Sequence, residues 1–445
     1  MAPQNEERAA RLRAQANDPS FENVWQELRW RGLVHVSTDE AALEQALAGE
    51  PVSYYCGFDP TAPSLHLGHL VQLLTLRRLQ LAGHRPYALV GGATGLIGDP
   101  RQTSERVLNS QETVAAWVES LRAQIEPYLS FEGENAATMV NNLDWTAGMS
   151  ALDFLRDVGK NFRVGTMVKK EIVAKRLNSD EGISYTEFSY QVLQGNDFLE
   201  LHRRHGVTLQ TGGSDQWGNL TAGTELIRKV EGTHAHALGT PLITNADGTK
   251  FGKSEGNAVW LDAEMCSPYA FYQFWLNTAD ADVVDRLKVF TFLTRAEIEE
   301  YAQKVADEPF RREAQRRLAW EVTALAHGEE TTTKVIEASQ AVFGGGDLTT
   351  VDPDTLTAVL AELPQADRTQ WEGEPGTVTA VELLVSTGLV ASRSEARRTV
   401  RDGGASVNNV RVTDADQVFT RDDALAGRHL LVRRGKKNMA GADLG

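Results

Sequence analysis

Short apolar segments typical of buried strands alternate with helical segments in the first third of the chain. Residues 51–55, 87–90 and 138–140 are predicted strands, an apolar helix is predicted at 70–76, and a helix with one apolar face at 110–129. This alternation predicts a parallel sheet with helices packed on it, an α/β fold. Ligands of such sheets bind beyond the carboxyl ends of the strands.

Three polar residues each lie just past the end of a predicted strand: His66, Asp99 and Asn142. The glycine-rich stretch 91–98 before Asp99 lacks the spacing of a dinucleotide fingerprint and instead suggests that the backbone approaches a ligand closely. We therefore expect a ligand site at this edge of the sheet.

The segment His66-Leu67-Gly68-His69 is predicted to begin a helix. A helix start favours a phosphate-bearing ligand, and two histidines three residues apart share a helix face, where both could donate to phosphate oxygens. Gly68 would let a flat ring lie against the backbone. Two surface histidines or half of a zinc site are the alternatives, but zinc needs further ligands, and the chain has 2 cysteines.

The segment 186–197 is predicted to be a helix that carries a row of polar residues. Tyr190, Gln194 and Asp197 are spaced to lie along one face. Such a row could be a solvated face, yet apolar residues cover the other directions, and Gly195 would suit the floor of a pocket. The apolar residues are Phe188, Val192 and Phe198.

A polar loop follows a strand predicted at 239–243 and ends in Lys250-Phe251-Gly252-Lys253-Ser254. Its last three residues suggest a phosphate-binding loop of the Walker type, but the first glycine of that motif would fall on Asp247. The spacing excludes that motif.

The two segments His66–His69 and Lys250–Ser254, in this order, resemble the two signatures of the class I aminoacyl-tRNA synthetases. Residues 55–59 and 213–219 narrow the resemblance to the bacterial tyrosyl-tRNA synthetases, and it extends from about residue 23 to the C-terminus. It implies a Rossmann-like catalytic domain, an α-helical domain and a small α+β S4-type RNA-binding domain. The implied reaction joins L-tyrosine to ATP as tyrosyl-adenylate, releases pyrophosphate, and transfers the tyrosyl group to the 3′-terminal adenosine of tRNA(Tyr).

The resemblance assigns roles to individual residues. The attacking carboxylate is already ionised, so the chemistry needs positioning and electrostatic stabilisation and no protein nucleophile. The implied catalytic residues are Thr61, His66, His69, Lys250 and Lys253. The implied tyrosine-binding residues are Tyr55 and Asp197 at the phenol, Asp99, Tyr190 and Gln194 at the ammonium, Gln216 at the carboxylate, and Asn142. The implied ATP-binding residues are Cys56, Gly57, Asp59, His66, Gly68, His69, Gly213, Asp215, Lys253 and Ser254.

Mg²⁺ is expected to accompany the ATP, held by phosphates and water, with no metal site built by the protein. The loop 101–106 departs from the family because it has no lysine, so a pyrophosphate contact there would fall to Arg101.

The expected domain limits follow the resemblance and the punctuation of the sequence. The segment 150–176 is predicted to be helical and amphipathic, and in the family this connecting region carries the interface of a homodimer. The expected parts are an N-terminal extension 1–22, a catalytic domain 23–245 with a connective insertion at about 145–185, a signature loop and helical domain 246–343, a linker 344–376 that contains a short helix, and an S4-like domain 377–445.

The charge of the chain is segregated. The net charge is −16, which argues against nonspecific binding of nucleic acid, yet the segment 393–437 holds 11 basic and 6 acidic residues. Ser392 to Glu395 is predicted to form a capping box that opens a helix, and strands at 405–407 and 410–412 are predicted to be joined by an Asn-Asn turn. The implied RNA-binding residues are Arg393, Arg397, Arg398, Arg401 and Arg411.

No apolar run reaches membrane-spanning length, residues 1–18 lack the apolar core of a signal peptide, and 2 cysteines cannot form a disulfide framework. A cytoplasmic enzyme without membrane partners is therefore expected.

A tryptophanyl-tRNA synthetase is the nearest alternative function, but it would not need the pair Tyr55 and Asp197. A non-catalytic RNA-binding relative is the other, and it would not need the histidines and lysines of the signatures.

Overall fold

The computed structural model describes residues 3–100, 107–249, 251–254, 257–374, 376–435 and 438–445. Its main sheet has 6 strands in the order β1-β6-β5-β2-β3-β4, and β2 to β6 run parallel, as predicted. The edge strand β1 is antiparallel to β6 and was not predicted. The strands are β1 Val36–Ser37, β2 Ser53–Phe58, β3 Arg85–Val90, β4 Thr138–Asn141, β5 Val207–Gly213 and β6 His236–Thr240.

The last parallel strand differs from its predicted position, since β6 covers His236–Thr240 and not 239–243. Pro241 has no backbone N–H to donate to a neighbouring strand, so the ladder ends before it. Leu242 is 59% exposed, which shows that the apolar residues after the proline do not belong to the core.

The described residues up to Glu231 contain twelve α-helices. Polar side chains cap several of them, since Asn23, Asp39 and Ser184 accept backbone N–H groups of α2, α3 and α11 in turn. They are α1 Pro3–Ala14, α2 Val24–Trp30, α3 Glu40–Leu47, α4 Leu67–Leu81, α5 Thr94–Ile97, α6 Gln111–Ile125, α7 Leu143–Thr146, α8 Ala151–Asp153, α9 Val164–Met167, α10 Glu171–Leu177, α11 Tyr185–His205 and α12 Trp217–Glu231.

The segment 150–176 is not the continuous amphipathic helix that its pattern suggests. It consists of α8, a π-helical turn at Phe154–Val158, a 3-10 turn at Gly159–Asn161, α9 and the start of α10. Two glycines, Gly159 and Gly165, lie inside it and disfavour an uninterrupted helix.

The chain divides into two compact units, Met1–Met265 with Asn277–Glu321, and Cys266–Leu276 with Val322–Gly445. Within the described residues no helix is both long and apolar enough to cross a lipid bilayer. The remaining helices are α13 Pro268–Leu276, α14 Asp280–Phe290, α15 Arg295–Asp307, α16 Glu313–His327, α17 Glu329–Gly344, α18 Pro353–Ala361, α19 Ala380–Ser386 and α20 Arg393–Arg401.

The second unit contains a sheet of 4 strands in the order β11-β10-β13-β14. The predicted turn between β10 and β11 is present, and Asn408 and Asn409 have φ angles of 50° and 64°, as a tight hairpin turn requires. The short strands after β6 are β7 Lys253–Ser254, β8 Asn257–Ala258, β9 Val378–Thr379, β10 Ala405–Val407, β11 Val410–Arg411, β12 Val418–Phe419, β13 His429–Arg434 and β14 Asn438–Asp443.

The expected linker 344–376 is folded over much of its length. Its helix α18 buries Leu356, Val359 and Leu360, and the Trp371 ring packs against the core that α19 and α20 build. Trp371 Nε1 also donates to Ser386 Oγ at 2.9 Å. The compact units therefore do not coincide with the expected domain limits, which remain predictions.

Candidate active site

The side chain of His66 caps α4. Its Nδ1 accepts the backbone N–H of Gly68 at 3.0 Å, and the Nδ1 of His69 accepts the backbone N–H of His66 at 3.2 Å. The two rings stack with their centroids 3.9 Å apart. Because each Nδ1 is an acceptor, the proton of each neutral ring lies on Nε2, which is left to donate to a ligand.

Burial keeps both imidazoles neutral. It lowers the pKa of His66, and it lowers the pKa of His69 well below the usual value, with a further contribution from His66. A Cβ at Gly68 would lie 2.9 Å from Cε1 of His66, and the expected contact of Gly68 with a flat ring of the ligand stays a prediction. Gly68 thus makes room for the histidine that caps the helix.

Backbone contacts bring the second signature to the first. Leu67 N donates to Val259 O at 3.2 Å, and Val259 N donates to Gly252 O at 2.9 Å. Lys253 lies in β7, which pairs with β8. The expected catalytic residue Lys250 and the loop 101–106 lie outside the described residues.

The carboxylate of Asp197 is buried and accepts two hydrogen bonds from side chains of α7 and of the residue before it. Trp145 Nε1 donates to its Oδ1 at 2.8 Å, and Asn142 Nδ2 donates to its Oδ2 at 3.0 Å. Asp197 is 3% exposed and Asn142 is fully buried. The hydroxyl of Tyr55 is also buried, and it has no hydrogen-bond partner among the described residues.

The environment of Asp197 changes its acidity. Burial raises its pKa to about 7, although the hydrogen bonds from Asn142 and Trp145 favour the ionised form. The same burial, together with the charge of Asp197, raises the pKa of Tyr55 well above its usual value. A buried carboxylate and an unpartnered phenol hydroxyl are therefore available to a polar ligand group.

A second carboxylate, Asp59, organises the middle of the site. Tyr190 OH donates to its Oδ2 and Thr94 Oγ1 donates to its Oδ1, both at 2.7 Å. The structure thus joins Tyr190, expected at the tyrosine ammonium, to a residue expected at ATP. Gln194 lies one turn along α11, and its buried Oε1 has no partner within the described part of the chain.

Asp99 lies on the other side of the site, where it accepts from Gln216 Nε2 at 3.0 Å and from Asn219 Nδ2 at 3.2 Å. Asn219 also donates to Gln216 Oε1 at 2.8 Å, which fixes the orientation of the glutamine amide. A Cβ at Gly213 would meet Oδ1 of Asp215 at 2.5 Å, so this glycine allows Asp215 to turn back over the strand end.

The remaining expected ATP-binding residues follow β2. The thiol of Cys56 is buried and its pKa is raised to about 12 by burial, so this side chain belongs to the core. Gly57 and Thr61 are exposed, and Thr61 N donates to Asp59 O at 2.8 Å. The structure thus places the loop after β2 beside the start of α4.

Three residues of the site were not expected from the sequence: Thr94, Trp145 and Asn219. Trp145 lies in α7, three residues after Asn142, and Thr94 lies in the glycine-rich stretch after β3. No local pattern distinguishes a tryptophan that donates to a carboxylate from one that fills a core. Groups of three or more potential metal ligands do not occur in the described ranges.

All five arginines expected to bind RNA are exposed, but acidic residues neutralise some of them. Arg397 makes two hydrogen bonds to Asp416, at 2.8 and 2.9 Å, and Arg393 pairs with Glu372 at 2.7 Å. Ser392 caps α20 as predicted, whereas Glu395 accepts from Ala391 N, so only half of the predicted capping box forms.

Comparison with known proteins places this site in a class. Residues 47–344 match the family of tRNA synthetases class I (W and Y), and residues 359–440 match the tyrosine--tRNA ligase SYY-like C-terminal domain. The fold, the paired signatures and this match define a class I aminoacyl-tRNA synthetase.

The relatives narrow the class. Tyrosine--tRNA ligase of Leifsonia xyli is 68% identical and the match covers 97% of this chain and 96% of the relative; that of Streptomyces avermitilis is 62% identical, with 95% and 99% covered. A C-terminally truncated mitochondrial tyrosyl-tRNA synthetase of Coccidioides posadasii has a TM-score of 0.63 at 30% identity, covering 75% of this chain and 94% of that one. The chain belongs to the bacterial tyrosyl-tRNA synthetases.

Proposed function

We propose that this chain activates L-tyrosine with ATP and charges tRNA(Tyr), with the residues of the site in the roles given below. The observation that carries the proposal is the buried Asp197, held by Asn142 and Trp145 beside the unpartnered hydroxyl of Tyr55. The phenol of tyrosine would complete this set of polar groups, and phenylalanine would leave them buried without a partner.

The amino-acid backbone of the substrate would lie further out. Its ammonium would meet the carboxylate of Asp99 and Oε1 of Gln194, which has no hydrogen-bond partner among the described residues. The hydrogen bond from Tyr190 to Asp59 would keep the Tyr190 hydroxyl close to the ammonium. The substrate carboxylate would meet Gln216, whose amide is already oriented by Asp99 and Asn219. The carboxylate is thereby held for attack on the α-phosphate of ATP.

Stabilisation of the phosphate in the transition state would come from neutral donors at the start of α4. The Nε2–H groups of the stacked His66 and His69 face away from the backbone that occupies their Nδ1 atoms. Because the rings are neutral and fixed, they would donate to the developing negative charge without reorganisation. Lys253 and Thr61 remain proposed partners in the same step.

Mg²⁺ would come with the ATP, and its charge would offset that of the phosphates. The carboxylates at the site suit this arrangement, because Asp59 and Asp99 are both engaged by protein donors.

A homodimer is proposed from apolar residues that the connective region leaves in solvent. Leu152 is 79% exposed, Val164 63% and Leu155 51%. Neighbouring apolar side chains that are exposed together often mark a surface that binds another protein chain. We propose that a second copy of the chain covers these side chains.

We also propose that tRNA binds to the arginines around α20 and that the enzyme works in the cytoplasm.

The direct test is pyrophosphate exchange into ATP, measured with each amino acid in turn, followed by charging of tRNA. The proposal expects exchange that depends on tyrosine and charging of tRNA(Tyr). Exchange that depends on tryptophan, or none, would contradict it. Glu225→Gln, which changes an exposed carboxylate on α12, is the matched control for the site variants below and should behave as the unmodified protein.

A further inference from the structure

A continuous chain of hydrogen bonds joins the two carboxylates of the site, Asp59 and Asp197. Thr94 Oγ1 donates to Asp59 Oδ1 at 2.7 Å. Asn142 Nδ2 donates both to Thr94 Oγ1, at 2.9 Å, and to Asp197 Oδ2, at 3.0 Å. Two residues thus connect the carboxylate at the inner end of the tyrosine pocket to the carboxylate beside the ATP loop.

The direction of each bond in this chain is fixed. Asn142 Oδ1 accepts the backbone N–H of Ala93 at 2.7 Å, so the amide nitrogen must be the atom that faces Asp197 and Thr94. Both amide hydrogens are then used. The hydroxyl of Thr94 accepts one of them and must turn its own hydrogen toward Asp59.

The fold makes room for this contact at a glycine. A Cβ at Gly91 would lie 2.1 Å from Asp59 Oδ1 and 2.3 Å from Thr94 Oγ1. Any side chain at this position would separate the two partners. Thr94 itself is 2% exposed, so water does not compete for its hydroxyl.

Asp59 also connects outward to the ATP side. It accepts from Tyr190 OH, and its backbone carbonyl accepts the N–H of Thr61 in the loop before α4. Burial is the main cause of the raised pKa of Asp197 at the other end, and the charge of Asp59 contributes to it. The neutral donors Thr94 and Asn142 give a hydrogen-bonded path by which one carboxylate can orient the other.

We propose that Thr94 is a positioning residue that couples occupancy of the tyrosine pocket to the affinity for ATP. A phenol bound at Asp197 shares that carboxylate with Asn142, Asn142 donates to the hydroxyl of Thr94, and that hydroxyl holds Asp59 and the loop that meets ATP. Binding energies are linked, so ATP must tighten the binding of tyrosine by the same factor. This inference rests on the proposed function.

The test compares Thr94→Val, which keeps the shape but removes the hydroxyl, with Thr94→Ser, which keeps the hydroxyl. Calorimetry would measure the affinity for ATP with and without tyrosinol, an alcohol analogue of tyrosine that cannot react. The unmodified protein and Thr94→Ser should bind ATP more tightly when tyrosinol is present. In Thr94→Val, the ratio of the ATP affinity with tyrosinol to the ATP affinity without it should fall on the order of tenfold, because a hydrogen bond to a charged group is lost.

Two further variants test whether a loss of packing, and not the loss of the Thr94 hydroxyl, explains a lower ratio. Thr332→Val removes a buried hydroxyl that bonds only Gly328 O, in the second unit, and should leave the ratio unchanged. Thr94→Ala removes the same hydroxyl with less crowding, and it replaces Thr94→Val if the valine variant does not fold.

The outcomes separate this inference from the function on which it rests. An unchanged ratio in Thr94→Val, or an equal loss in Thr94→Ser, would overturn the coupling while tyrosine-dependent exchange persists. An absence of tyrosine-dependent exchange in the unmodified protein would instead overturn the proposed function. A lost ratio in Thr94→Val with recovery in Thr94→Ser supports the coupling.

Discussion

Charged side chains occur in two very different environments in this protein. In the pocket, Asp197 is buried, and Asn142 and Trp145 each donate to one of its oxygens. At α20, Arg397 is exposed and donates two hydrogen bonds to Asp416, which is exposed as well. The first arrangement is fixed by the core, and the second can open at little cost because solvent replaces each partner.

The difference indicates how each region recognises its ligand. A buried carboxylate with fixed donors distinguishes ligands by a single hydroxyl, because a ligand without it leaves polar groups unsatisfied. Exposed arginines attract a polyanion through the sum of many weak contacts, and salt weakens all of them. Substitutions should therefore have large, specific effects in the pocket and small, salt-dependent effects at α20.

The largest effect is expected from Asp197→Asn. The phenol of tyrosine would lose a charged acceptor, and the new amide would face the donors of Asn142 and Trp145. We expect kcat/KM for tyrosine in pyrophosphate exchange to fall by about 10²-fold, with a much smaller change in KM for ATP. Equal losses for both substrates, beside an unaffected Glu225→Gln, would show that the variant damages the fold and not the pocket.

An intermediate effect is expected from pH. The pKa of Asp197 is raised to about 7, so the carboxyl is ionised above that pH and protonated below it. Protonation removes the charged acceptor, and the KM for tyrosine should rise by roughly tenfold as the pH falls from about 8 to about 6. Asp197→Asn should show a flat profile over the same range, and a profile like that of the unmodified protein would assign the titration to another group.

The smallest effects are expected at α20. Arg398 is exposed and makes no ion pair with any described residue, whereas Arg397 must first leave Asp416. We expect Arg398→Ala to weaken tRNA binding by roughly threefold and to lower the salt slope by about 1, with a smaller change for Arg397→Ala. Arg428→Ala, an exposed arginine paired with Asp443, is the control. Identical salt slopes in all variants would show that the arginines of α20 do not contact tRNA.

Patterns that are local in sequence predicted much of the fold. The alternation of strands and helices predicted the parallel sheet, and the polar row on the helix at 186–197 identified Tyr190 and Asp197. Local patterns did not show which segments pack against each other. The sequence predicted a linker with a short helix at 344–376, but it did not show that Trp371 packs against the core that α19 and α20 build, because glycines mark turns and do not reveal what packs between them.

The site shows the same limit. Spacing indicated Asn142, which follows a strand, but the donation from Trp145 to Asp197 joins residues 52 positions apart. The role of Thr94 depends on two such contacts, with Asp59 and Asn142. A sequence shows which residues could donate or accept, and only the fold brings the partners to hydrogen-bond distance.

The central claim is that the pocket around Asp197 selects tyrosine by its hydroxyl. The most direct measurement is the ratio of kcat/KM for tyrosine to kcat/KM for phenylalanine in pyrophosphate exchange, compared between the unmodified protein and Asp197→Asn. We expect a ratio of roughly 10⁴ to 10⁵ for the unmodified protein, a magnitude already established for tyrosyl-tRNA synthetases, and a ratio that falls steeply in the variant. If the variant kept the full preference for tyrosine, Asp197 would not be the group that recognises the phenol.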